Sequence, residues 1–139
     1  MSGQLSPAEL GNALLKGCEH HGLDWGEEAA VHLLIAQGTW LRRAEFTAHV
    51  TAEELNDGSL SAWVDWTEVA TEPDRSPASS GELAVLRLAC HLAGHLPETT
   101  DNTWSIADIL MPLDATNGVL ASRAVAMAAI GPTAVGPLR

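Results

Sequence analysis

Apolar residues in this chain gather into helix-length runs, and two of these are almost free of charge. In Glu82–Leu96, the residues Leu83, Leu86, Ala89, Cys90, Leu92, Ala93 and Leu96 share one side, while Arg87, His91 and His95 form a polar stripe. Between Ala115 and Ile130 the only charged side chain is Arg123. A helix that is apolar nearly all round belongs at a core centre or at an interface.

The remaining elements announce themselves by their caps. Ser6-Pro7-Ala8-Glu9 offers a capping serine, a proline that needs no donor, and a glutamate to close the capping box, so a helix is expected from there to Gly22. Asp24-Trp25-Gly26-Glu27 repeats the device and opens the run Ala29–Ala36, which stops at Gly38. These two helices read as an antiparallel pair joined at Gly22-Leu23. Further on, Ser80 or Gly81 starts a helix that runs through Leu96 and is ended by Pro97. Ser105 caps a short helix that stops at Pro112, and Asp114 caps a last helix closed by Gly131-Pro132.

The central segment supports two readings. Phe46, Ala48 and Val50 alternate with polar residues, as do Leu60, Ala62, Val64 and Trp66, and Asn56-Asp57-Gly58 between them is a turn signal, which together describe a hairpin. Against this, Ala44–Leu55 is rich in helix formers, and Asp65-Trp66-Thr67-Glu68 fits a helix start. Helix is favoured for Ala44–Leu55, with a strand at Ser61–Val64 left open. The expectation is a mainly α, single-domain bundle of five to six helices, with a short β-hairpin in the middle as the alternative. Residues 6–70 hold the helical pair and the central segment, 71–80 a Pro/Ser-rich loop, 81–131 the C-terminal helices and 132–139 a frayed tail.

Composition narrows the class of function. At 139 residues and 46% hydrophobic content the chain can build a core without disulfide or metal staples. Seven basic against eighteen acidic residues leave a formal net charge of -11, with Arg42-Arg43 the closest approach to a basic cluster. Such a surface repels phosphate backbones and anionic lipid, so direct nucleic-acid and membrane partners are not expected. Cys18 and Cys90 form neither a CxxC pair nor a disulfide framework, and the N-terminus has no signal-peptide pattern. A reduced, cytoplasmic protein is the expectation.

Candidate chemistry is sparse. His91 and His95, four apart on one helix face, have a zinc-site spacing, but Leu92 stands where a HExxH motif needs its glutamate, and a solvated stripe explains them as well. Cys18-Glu19-His20-His21 groups three ligand types, yet successive helical residues point apart. Cys90 reads as a core hydrophobe, and His32 as a structural histidine paired with Glu28. No phosphate loop or nucleophile elbow is present, so no cofactor, metal or catalytic residue is assigned. Of the five tryptophans, Trp63 falls on the polar phase of its segment and is the candidate interface residue; core packing suits Trp25, Trp40, Trp66 and Trp104.

Several residues also carry a resemblance. Ser79-Ser80-Gly81-Glu82, Leu86-Arg87-Leu88-Ala89, His91-Leu92-Ala93, Leu113-Asp114, Asn117, Ala124, Ala128 and Gly131, with Gly38-Thr39-Trp40-Leu41 and Val64-Asp65-Trp66 upstream, resemble a group of small actinobacterial or actinophage helical proteins of unknown function. The likeness spans roughly Gly38 to Gly131 and departs at the longer connection Pro97–Asn102. It implies a recurring helical fold and transfers no activity.

The leading expectation is a non-catalytic interaction or regulatory protein that binds another protein, or itself, through apolar helix surface. Small side chains at Ala121, Ala124 and Ala128, with Val125, would let the last helix approach a second copy if one chain does not bury it. A helix-turn-helix accessory to transcription built on Ser105–Arg123, and a small metal-dependent enzyme using His91 and His95, are the alternatives. An acidic nucleic-acid mimic would need the carboxylates of Glu45–Asp65 ordered along one face.

Overall fold

The computed structural model describes residues 5–94 and 105–135. Four long helices carry the fold: α1 (Pro7–His21), α2 (Trp25–Gln37), α5 (Ser80–Leu92) and α7 (Ala115–Ile130). Between α2 and α5 lie a short 3-10 turn at Trp40–Arg42, α3 (Ala44–Thr47), a hairpin of β1 (Val50–Glu54) and β2 (Leu60–Val64), and α4 (Trp66–Val69). Two more short helices, α6 (Ile106–Leu110) and α8 (Pro132–Val135), flank α7, so the helices slightly outnumber the five to six expected.

The caps act as their sequences imply. At α1 the Glu9 N–H donates to Ser6 Oγ at 3.1 Å, and the Ser6 N–H donates to Glu9 Oε1 at 2.9 Å. The same reciprocal pair joins Ser79 and Glu82 at the start of α5, while Asp24 and Asp114 cap α2 and α7 by accepting from Glu27 and Asn117 N–H. Each satisfies donors that the first helical turn otherwise leaves without partners. Helix α5 stops at Leu92, earlier than expected, because Gly94 adopts a positive φ of 80° and turns the chain; Leu96 and Pro97 lie outside the described residues.

The favoured helix over Ala44–Leu55 is corrected. Only Ala44–Thr47 is helical, and Val50–Glu54 pairs antiparallel with β2 in the register Val50 to Val64 and Glu54 to Leu60. The turn is held by Asp57, whose carboxylate accepts from the Ser59 N–H, and by Gly58 at φ 84°. Tertiary packing outweighs helix propensity here: β2 packs on α1, and the adjacent Ser61 and Ala62, which point to opposite faces of the strand, are both buried. That packing needs Gly17: a Cβ there would stand 1.8 Å from the Ala62 carbonyl oxygen.

Helix α2 is the centre of the fold and packs on α1, α5 and α7. Its Ala29, Ala30, Val31, Leu33 and Leu34 are all buried, so the helix buried nearly all round is this one. Helix α7 buries one face only, through Leu120, Ala121, Ala124 and Met127. Trp40 is fully buried and its indole N–H donates to the Glu82 carbonyl at 2.9 Å, tying the 3-10 turn to α5. Glu72, 8% exposed, accepts from Arg75 and pairs with His49 Nε2 at 2.9 Å, which joins the base of the hairpin to the segment after α4.

Candidate functional site

Three features merit a functional reading: the outer surface of the C-terminal helices, two surface concavities, and a group of ligand-capable side chains at the end of α1.

Exposed large hydrophobic residues concentrate after position 105. Ile106, Leu110 and Met111 are exposed on and just after α6, as are Val119, Val125 and Ile130 on α7, with Met111 reaching 81%. At 100° per residue, Val119, Ala126 and Ile130 share the face of α7 opposite its buried residues. Ala121 and Ala124, expected on a dimer surface, are buried in this chain: their small side chains allow close approach to α2, and a second copy cannot reach them. Ala128 is half-buried, and Val125 is exposed. Trp25, expected in the core, is 52% exposed, because it occupies the first position of α2, where its indole rests 3.1 Å from the place a Gly131 Cβ would take.

Trp40 and Trp66 are buried as expected, whereas Trp63, the candidate interface residue, is half-buried rather than exposed; Trp104 lies outside the described residues. Trp63 meets His21 edge-on, with ring centroids 5.2 Å apart. Both border a small concavity of about 300 Å³, whose other walls include Leu14, Leu23, Val31, Ala62 and Trp66, with Glu27 at its rim. A larger, open groove of about 880 Å³ runs between the start of α1 and β1, lined by Leu5, Leu10, Leu41, Ala48, Val50 and others, and Arg42 is the one charged residue among its described lining.

Among the described residues, His21 and Glu27 are the titratable groups on the wall of the small concavity, and Arg42 is that of the larger groove. Burial pushes the thiols of Cys18 and Cys90 up to about 12, so neither offers a thiolate near neutrality. His32 is held below its ordinary value by burial, with Glu28 working in the opposite direction. His91 is half-buried on α5, and His95 lies outside the described residues. Of the carboxylates between Glu45 and Asp65, Glu45 accepts from Ser76, Asp57 holds the hairpin turn, Asp65 caps α4 and Glu53 lies beside His20.

One cluster escapes the expectation that neighbouring helical residues diverge. His20 and His21, in the last turn of α1, bring their rings to 4.9 Å, and with Glu53 of β1 they place three ligand atoms within 4.8 Å of one another. These residues sit at the capped end of α1, beside a strand that supplies the third group.

No protein-family model, curated protein or solved structure matches this chain.

Proposed function

We propose that this is a non-catalytic interaction protein of the cytoplasm, which binds another protein or a second copy of itself through the outer surface of α6 and α7. The observation that carries the reading is the concentration of exposed Ile106, Leu110, Met111, Val119, Val125 and Ile130 in one stretch of 25 residues. Scattered exposed apolar residues are ordinary on any surface, but six large ones so close in sequence, with Val119 and Ile130 on one face of α7, favour a covered state. Two further observations agree with it. The buried thiols are not nucleophiles, and no described helix is long and apolar enough to cross a membrane. The first turns of α7 offer Thr116, Asn117 and Gly118, and Arg123 is the one basic side chain of residues 105–131, which supports a protein partner over DNA. The actinobacterial likeness belongs to the same proposal and adds no activity to it.

Sedimentation velocity of the full chain across the micromolar range tests self-association. A concentration-dependent shift supports a second copy as the occupant. Strictly monomeric behaviour removes that branch, leaving a different protein whose capture must then depend on Val119 and Ile130.

A further inference from the structure

We infer that His20, His21 and Glu53 form a surface site for a divalent transition ion of the zinc class. The three ligand atoms already lie within 4.8 Å of one another, and His20 Nε2 stands 3.8 Å from Glu53 Oε1. Ligands at 2.0–2.2 Å from a tetrahedral ion sit about 3.4 Å apart, so the remaining closure is small. Side-chain rotation can supply it, because the His20 and Glu53 side chains are 44% and 46% exposed.

The backbone beneath the cluster is held in place. Glu53 lies within the paired part of β1, opposite Ser61, and β2 is packed on α1 at Gly17. The distance between the end of α1 and β1 is therefore set by the fold and not by the side chains. Trp63, on the neighbouring strand, braces the His21 ring edge-on at 5.2 Å, limiting its orientation before any ion arrives. Position on the helix favours a cation too, since the carbonyl end of α1 carries partial negative charge.

The donor set selects the ion. Two imidazoles suit zinc, copper or nickel, whereas magnesium and calcium require several oxygen ligands and find one carboxylate here. Three protein ligands leave a fourth position to water. The α6–α7 surface contributes none of these residues, so the site stands or falls separately from the proposed interaction.

Calorimetric titration of the full chain with zinc chloride, and with magnesium chloride as comparison, tests the inference. Zinc is expected to bind with one-to-one stoichiometry and magnesium not to bind. His21→Ala and Glu53→Gln should each weaken zinc binding by at least about tenfold, with far-UV circular dichroism unchanged, while His91→Ala binds as the parent does. Nickel quenching of tryptophan emission gives a second readout: part of the quenching should vanish in Trp63→Phe. Absence of saturable zinc binding overturns the inference, as does binding that survives both ligand substitutions unchanged.

Discussion

Substituting Gly17 by alanine isolates the contact that seats the hairpin on α1. The added Cβ would lie 1.8 Å from the Ala62 carbonyl oxygen and 2.9 Å from its carbon, both below the 3.0 Å that real Cβ atoms respect. The obstacle is backbone in a paired strand, which cannot rotate away as a side chain can. Overpacking of this kind costs about 1–3 kcal/mol, and rigid backbone places it at the upper end. Alanine recovers about 1 kcal/mol of helix propensity, so a net loss of about 2 kcal/mol remains. Gly118→Ala is the internal control: a Cβ there meets nothing within 4 Å, and the helix should gain about 0.5–1 kcal/mol. Urea unfolding monitored by circular dichroism reads both, as opposite shifts of the midpoint at constant slope. Equal stability of Gly17→Ala and the parent would refute the close approach of α1 and β2.

Other consequences follow from single groups. Glu72→Ala removes the carboxylate that binds His49 and Arg75, and should cost about 2 kcal/mol in urea unfolding, with most of the effect from the half-buried His49 because Arg75 is 64% exposed. Since the folded pKa of His32 lies below its unfolded value, the unfolded chain takes up the proton first as pH falls. Its contribution to stability is therefore present above the ordinary imidazole value of about 6.5 and lost as pH drops from there toward the folded value; His32→Gln should flatten that part of a stability–pH profile. Cys18 and Cys90 should resist alkylation by iodoacetamide in the native protein at pH 8 and react after unfolding, a contrast read by intact mass.

What was legible in the sequence was local. Ser6, Asp24 and Asp114 act within three residues of themselves, and the helices they cap begin where these residues predict; the start of α5 at Ser80 is legible too, though its cap is the preceding Ser79. The stretch Ala44–Leu55 was misjudged because helix propensity and alternation disagree there, and burial of β2 on α1 decides between them. Trp25 defeats a rule that places large aromatics inside, since the first turn of a helix can leave a ring lying over the end of another. His20, His21 and Glu53 meet only because the hairpin folds back on α1, and the bond between His49 and Glu72 arises likewise from the return of the chain after α4. Gly17 reads in sequence as a weak point in a helix, and its purpose appears only when the facing strand is in place.

The most direct measurement on the interaction surface compares the full chain with its Val119→Asp, Ile130→Asp double variant by sedimentation equilibrium and by partner capture. Both side chains are more than half exposed, so the variant should unfold with the parent's midpoint while losing self-association, or the captured partner, entirely. A variant that associates and captures as the parent does would contradict a role for the outer face of α7.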